Sequence, residues 1–285
     1  MAELGYSKLK GARRRVAKLR FGLARRLMGR CELRDGDNAY RFDPASFREL
    51  WRISSIYLKE VGTIELIRQE LGEGDVFCDI GANVGLYSLM AASRVGETGQ
   101  VYAFEPLAAN FASLVESIRR NGFCRRITPF SLALTDAPGV FPFHYMSLEA
   151  GSSGSQLHAA VGVDEQDYVP LVTEMKYGTS LDDLIAAGTM RAPDVIKIDV
   201  DGNEARILRG MRQLLNGSQR PRAVSVEVNA REKDALFGFM EAQGYAFASR
   251  NDTMGGLRQI GAGADPELVA YNAVFRPAEE AVAAC

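Results

Sequence analysis

The run Asp79-Ile80-Gly81-Ala82-Asn83-Val84-Gly85 places a carboxylate and two glycines where an apolar stretch, Val76–Ile80, gives way to a helix-forming one, Leu86–Arg94. Glycines at such a junction let the backbone turn tightly and approach a ligand closely. A loop that holds a pyrophosphate offers it the positive end of a helix. Here the carboxylate of Asp79 would repel one, whereas a ligand with an amine or sulfonium cation would be attracted. A second acid, Glu105, closes the next apolar stretch, Val101–Phe104, and lies twenty residues after Gly85. An acid so placed accepts hydrogen bonds from both hydroxyls of a ribose. A ribose, a positive charge and no diphosphate together describe S-adenosylmethionine. Strand-end acids also cap helices, and dinucleotide oxidoreductases carry a similar acid, so motifs further along the chain must decide.

The elements that must position these residues alternate. Strands are predicted at Val76–Ile80, Val101–Phe104, Ile127–Leu134, Val195–Val200 and Ala223–Val228. Helices are predicted at Leu86–Arg94, Ala108–Asn121, Glu204–Leu215 and Lys233–Gln243. Such alternation means βαβ units and a doubly wound, mainly parallel α/β sheet. Tyr245–Ser249 and Tyr271–Phe275 would close it with an antiparallel hairpin. Residues 137–180 break the rhythm with Val140–Tyr145 and a Gly/Ser tract, Gly151–Ser155, which predicts an insertion built of a hairpin and a mobile loop. Residues 46–71 read as helical, and Arg34–Asn38 as a turn. The chain therefore divides into an N-terminal extension over 1–45, one catalytic unit over 46–277 and a short tail over 278–285.

The 285 residues are 47% hydrophobic and 25% charged, which excludes a wholly disordered chain. No uncharged apolar run approaches the roughly 18 residues a membrane span needs. Residues 1–30 hold ten Lys and Arg against one acid, Glu3, while the whole chain has a net charge of −2, so a basic segment precedes an acidic body. An acidic body argues against nucleic acid as a partner. Leu9, Ala12, Val16, Leu19, Leu23 and Leu27 give residues 8–29 one apolar stripe among basic residues. That helix could pack on its own body, join two copies in a homo-oligomer, or lie on an anionic membrane surface. Four scattered cysteines and two histidines form no zinc pattern. With no apolar signal-peptide core, they point to reduced thiols and a cytoplasmic protein, with the inner membrane surface as the place of any peripheral contact.

Two further blocks sharpen the reading. Ser180-Leu181-Asp182-Asp183-Leu184 precedes Val195-Ile196-Lys197-Ile198-Asp199-Val200-Asp201-Gly202-Asn203-Glu204, which leads into Ile207-Leu208-Arg209-Gly210. With the loop at 79–85, these blocks resemble the FkbM family of S-adenosylmethionine-dependent methyltransferases, from about Tyr57 to Val228. The resemblance implies a class I, Rossmann-like fold with a seven-stranded sheet. It also implies O-methylation of sugars, polyketides or other natural products, with S-adenosylhomocysteine as product. Carried onto this chain, Asp79, Gly81, Asn83 and Gly85 form the methionine-side loop, Glu105 is the ribose acid, and Leu132 and Ala133 form the adenine wall. One departure is Asp201-Gly202-Asn203-Glu204 where the family usually has Glu-Gly-Ala-Glu, a change that bears on the acceptor side.

A hydroxyl acceptor has to lose its proton, and a positioned base helps. Asp199 at the end of the fourth strand is the first candidate, with Glu204 and Glu227 beside it. His144 and His158 qualify only if the insertion folds over the site. Asp199, Asp201, Glu204 and Glu227 also supply hard oxygen donors of the kind magnesium takes. The pattern itself requires no metal. The expected acceptor is a sugar, glycan or glycosylated small molecule. A polyketide, lipid or peptide acceptor, or a cofactor-binding subunit without catalysis, are the alternatives.

Overall fold

The computed structural model describes residues 29–158, 168–230 and 232–278, and before them only the isolated positions 15, 16, 19 and 23. The predicted basic helix over 8–29 therefore lies almost wholly outside the described residues, although Val16, Leu19 and Leu23 within it are helical and exposed. Residues 279–285 of the tail lie outside them too.

A hairpin of β1 (Cys31–Asp35) and β2 (Asn38–Phe42) leads into α1 (Phe47–Ser54), α2 (Ile56–Lys59) and α3 (Val61–Glu70). The sequence pattern suggests one helix here, and the chain makes three. Ser55 turns its hydroxyl back onto the Trp51 carbonyl (2.7 Å), and Glu60 leaves helical geometry at φ −144°. A serine bonded to the preceding turn competes with the helix ladder and bends it. Three strands and two helices come next: β3 (Val76–Ile80), α4 (Leu86–Val95), β4 (Gln100–Phe104), α5 (Ala108–Arg120) and β5 (Ile127–Phe130). The insertion then contributes β6 (Ala133–Leu134), β7 (Gly139–Tyr145), β8 (Gln156–Leu157) and β9 (Val172–Thr179). The chain continues through α6 (Leu181–Ala186), β10 (Val195–Ile198), α7 (Glu204–Arg209), α8 (Arg212–Asn216), β11 (Ala223–Val228) and α9 (Lys233–Ala242). It ends in β12 (Tyr245–Asp252), α10 (Met254–Gly261) and β13 (Tyr271–Pro277).

The main sheet has seven strands in the order β12-β13-β11-β10-β3-β4-β5. Its strands run parallel except β13, which is antiparallel to both β11 and β12. This is the doubly wound, Rossmann-like arrangement that the resemblance implies, with the predicted antiparallel hairpin at its C-terminal edge. The strand order reverses direction between β3 and β10, the place where open α/β sheets bind ligands.

Strand alternation sorts the core into two layers. Phe77, Val101, Ala103 and Val195 face one layer, with the α4 residues Leu89 and Met90 and with Ile64 and Ile67 of α3. Val76, Cys78, Ile80, Tyr102, Phe104, Ile196 and Ile198 face the other, with Ile207, Leu208 and Met240. Phe77 and Phe104 are completely enclosed, and each such side chain contributes about 1.5–3 kcal/mol on burial. The same alternation puts Asp79 and Lys197 on the first face, where they are direct register partners on adjacent strands.

Further differences from the sequence reading arise from contacts between distant segments. The third strand, Ile127–Leu134, divides at residues 131–132, because β5 pairs with β4 while β6 leaves to pair with β9 in a separate four-stranded sheet, β6-β9-β7-β8. The helix over Glu204–Leu215 divides at Gly210, where the backbone passes so close to the Thr135 carbonyl that a Cβ would lie 2.2 Å from its oxygen. The insertion is a sheet rather than a hairpin alone. Its Gly/Ser tract is fastened: Asn83 Nδ2 and Asn110 Nδ2 donate to the Ser152 carbonyl, and Gly151 N–H donates to Asn110 Oδ1, while residues 159–167 of the insertion lie outside the described residues. Cys31, Cys78 and Cys124 are free thiols.

Candidate functional site

A cavity of about 390 Å³ opens over the carboxyl ends of β3, β4, β10 and β11. The loop after β3 forms its floor. Gly81 has φ +82° and Gly85 φ +89°, a region that side-chain-bearing residues rarely adopt. Gly81 also has no room for a side chain, since a Cβ would sit 1.9 Å from the Asp199 carbonyl oxygen. Asn83 occupies the left-handed region as well (φ +51°), which asparagine tolerates. Its N–H donates to Glu105 Oε2 (2.8 Å), and its Oδ1 is buried with no hydrogen-bond partner.

Glu105 is 5% exposed and also accepts from the Leu107 N–H (2.7 Å). Burial pushes its carboxyl up to about 7, although the Leu107 and Asn83 N–H groups and Lys197 pull it down. Each carboxylate oxygen keeps a lone pair beyond these bonds. Leu132 and Ala133 do not line this cavity. They border a smaller apolar slot of about 40 Å³, which shares Gly81, Pro106, Phe143, Ser155 and Val200 with it.

Asp79 is fully buried and does not line the cavity. It accepts from Ser88 Oγ (2.6 Å) and lies 3.5 Å from Lys197 Nζ. Lys197 Nζ also lies 3.3 Å from Asp199 Oδ2, donates to the Gly81 carbonyl and sits 5.4 Å from the centre of the Tyr87 ring. Burial alone would drive a lysine toward neutrality, but Asp199 and Asp79 outweigh it and hold Lys197 charged. Lys197 thus fixes two strand-end acids from one position. Asp199 lines the cavity with its side chain one-quarter exposed.

Among the other candidate bases, Glu227 lines the cavity, but burial and the neighbouring Asp199, Asp201, Glu204 and Glu60 push it well above the ordinary carboxylate range. Glu204 is not a lining residue. Its Oε1 takes the Val200 and Gly202 N–H groups, so it braces the loop after β10, and burial raises it to about 7. His144 stands in the insertion, bonded to Thr173 Oγ1 (3.0 Å) and to the His158 carbonyl. His158 pairs with Thr135 Oγ1 and packs on Phe141. Neither histidine reaches the cavity. Asp201 takes the Gly154 N–H (2.7 Å) and contacts Gln156, tying the insertion to β10. Among the described residues, no three His, Cys, Asp or Glu side chains converge to hold a metal ion, so the four acids considered for magnesium do not form a ligand set.

Sequence patterning alone does not single out several of the lining residues. Glu60 accepts from Tyr87 OH (2.8 Å) and is raised by burial and by Asp199. Arg52, Lys59 and Arg258 come from α1, α2 and α10, elements with no motif of their own. Lys197 does carry a signal, a lysine inside an otherwise apolar strand, set one residue before its end as Asp79 is in β3.

The family profile described as Methyltransferase FkbM domain matches residues 79–247, more than half of the chain. The chain belongs to the FkbM methyltransferase family. It is 30% identical over 194 residues to the hexuronic acid methyltransferase AglP of Haloferax volcanii, covering 67% of this chain and 71% of that protein. It is 27% identical over 210 residues to the 31-O-demethyl-FK506 methyltransferase FkbM of Streptomyces tacrolimicus, covering 65% and 78%. A crystal structure of methyltransferase FkbM from Methylobacillus flagellatus superposes with a TM-score of 0.47 at 14% identity, over 81% of this chain and 62% of that one. Membership in this family makes the cavity the candidate site of methyl transfer. Among the described residues no helix is long and apolar enough to cross a membrane.

Proposed function

We propose that this methyltransferase uses S-adenosylmethionine to methylate a hydroxyl oxygen of a sugar, a glycan or a glycosylated natural product. The observation that carries the reading is one cavity bordered by the glycine loop and Glu105 on one side and by Asp199 on the other. The activities named for the two relatives, on a hexuronic acid and on an FK506 precursor, support an oxygen-rich acceptor.

The residues present fit the cofactor. Asn83 Oδ1 is a buried acceptor without a partner, suited to an amine donor. Glu105 has lone pairs left for two ribose hydroxyls. Leu132 and Ala133 offer apolar walls to a base in the adjoining slot. When bound, the cofactor supplies an electrophilic methyl carbon on a sulfonium. The chain's own residues do the rest. Gly81 lets the loop lie flat beneath the ligand. Ser152, Ser153 and Ser155 of the fastened tract line the site. Asp199 would take the acceptor's proton, and Lys197, 3.3 Å away, keeps that carboxylate oriented. Glu60 and Glu227 line the same cavity as Asp199 and would hydrogen-bond the acceptor's hydroxyls.

Labelled S-adenosylmethionine supplied to the purified protein with fractionated host extract tests the reading. Label in a glycan, lipid-linked sugar or glycosylated fraction is expected. Label confined to protein or to unglycosylated small molecules would refute the acceptor class, and none in any fraction would refute catalysis. Peripheral contact of residues 8–29 with an anionic membrane belongs to the same proposal, and salt-sensitive co-sedimentation with anionic liposomes reads it.

A further inference from the structure

Arg52, Lys59 and Arg258 bring three positive charges to one cavity, and among the described residues none of them has an ion-pair partner. The cavity's other cation, Lys197, is held between Asp79 and Asp199. The three cations come from separate elements: α1 supplies Arg52, α2 supplies Lys59, and α10, which packs beside α2, supplies Arg258. Arg52 donates through Nε to the Gly151 carbonyl (3.0 Å), which fixes the guanidinium while its terminal nitrogens make no hydrogen bond among the described residues. A guanidinium so held presents a planar pair of donors, the geometry that matches a carboxylate or a phosphoryl group.

Among the described residues the acids near these cations form no ion pair with them, although Arg52 acts on Glu60, Glu105 and Asp201 from a distance. Glu60 adjoins Lys59 in sequence, but its carboxyl accepts from Tyr87 and is pushed toward the protonated form by burial and Asp199. Glu227 is pushed the same way. Glu105 and Asp201 are turned onto the N–H groups of Asn83, Leu107 and Gly154. Lys59 is lowered from its ordinary value, first by burial and then by Arg52, with Arg258 adding to it, while Glu60 opposes. The cations therefore repel one another in the free protein, and an anion bound among them would relieve that repulsion. The subsite rests on the proposed methyl transfer, in which the cofactor takes the end of the cavity near Glu105.

We infer that Arg52, Lys59 and Arg258 form an anion subsite, and that the acceptor carries a carboxylate or phosphoryl group in addition to the oxygen that is methylated. A uronic acid or a sugar phosphate has this chemistry.

The test uses the full chain saturated with S-adenosylhomocysteine, whose own binding is measured first. Glucuronate, glucose 6-phosphate and glucose are then titrated and followed by calorimetry and ligand-observed NMR. At least one acidic sugar is expected to bind tenfold or more tighter than glucose, and 0.5 M salt should weaken it severalfold. Selection of glucuronate identifies a carboxylate site and selection of glucose 6-phosphate a phosphoryl site. The double variant Lys59→Gln/Arg258→Gln, which leaves the Arg52–Gly151 bond intact, should lose that preference fivefold or more while binding S-adenosylhomocysteine as before. Adding Arg52→Gln should remove it. Equal binding of all three sugars, or an unchanged preference in the triple variant, would overturn the subsite. Failure of the wild-type chain to bind S-adenosylhomocysteine would overturn the methyl-transfer reading itself, and the subsite with it.

Discussion

Glu105→Ala is the perturbation whose effect can be worked most directly from the structure. The side chain is buried and takes two backbone N–H groups, from Asn83 and Leu107. In the proposed complex it also accepts two ribose hydroxyls. Hydrogen bonds to a charged group contribute about 1.5–3 kcal/mol each. Removing both should weaken S-adenosylmethionine binding by about 3 kcal/mol or more, a hundredfold or greater loss. The two orphaned N–H groups cost stability too, on the order of 1–3 kcal/mol each, so circular dichroism must first show the variant folded. The wild-type protein offers a second, independent readout. Its Glu105 carboxyl stands at about 7 against a usual 4.5. Binding selects the ionised form, so affinity should rise about tenfold from pH 6 to pH 8. At pH 6 close to one proton is released on binding, and at pH 8 almost none. Because the folded value is raised, ionisation opposes folding of the free protein. Stability present at low pH is lost as pH rises through 7, by up to roughly 3 kcal/mol from this group. Calorimetry in two buffers of different ionisation heat measures both affinity and proton release. An affinity in Glu105→Ala within threefold of wild type, or a flat profile without proton release, would refute the ribose assignment.

Three other substitutions probe the remaining machinery. Lys197→Met leaves the buried Asp79 and the adjacent Asp199 without their shared cation, and urea unfolding should show a loss of about 3–5 kcal/mol. Gly81→Ala forces a Cβ against the Asp199 carbonyl at a positive φ, so binding of S-adenosylmethionine should fall below detection by calorimetry even if the protein still folds. Asp199→Asn should cut turnover by a hundredfold or more while cofactor affinity stays within a few fold, and single-turnover rates with separate binding measurements will tell these apart. Loss of binding in that variant would move the base elsewhere.

Much of the sheet is legible in the sequence because its signals are local. Val76–Ile80, Val101–Phe104 and Ala223–Val228 are apolar runs bounded by turn residues, and the structure gives strands there. The glycine loop and Glu105 are legible for the same reason: a tight turn and a strand-end acid are written in adjacent residues. Events decided by distant contacts are not legible in this way. The split at residues 131–132 comes from pairing with β9, more than forty residues away in sequence. The break at Gly210 comes from Thr135. The wall made by Arg52, Lys59 and Glu60 has no motif, because α1 and α2 reach the cavity only by packing. Asp199 and Glu227 at strand ends and Glu204 at a helix start look equivalent as acids, yet Glu204 turns inward onto loop amides while the other two line the cavity. Only the environment distinguishes them.

That environment also explains why so many acids can share one edge. Asp79, Asp199, Asp201, Glu60, Glu105, Glu204 and Glu227 crowd a region where charges are poorly screened, and full ionisation of all of them would oppose folding. The chain meets this in three ways. Lys197 holds a charge between Asp79 and Asp199. Backbone N–H groups bond to both oxygens of Glu105 and to one oxygen each of Glu204 and Asp201, while Glu204 Oε2 is buried without a partner. Burial and the neighbouring acids raise Glu60 and Glu227 above the ordinary carboxylate range. The consequence is that the acids at the cavity are not interchangeable at neutral pH. In the proposed reaction Asp199, exposed to the cavity and paired on one side only, is the acid that would accept the proton. A ligand that brings a positive charge to this edge and an anion to Arg52, Lys59 and Arg258 would meet both unbalanced poles of the site at once.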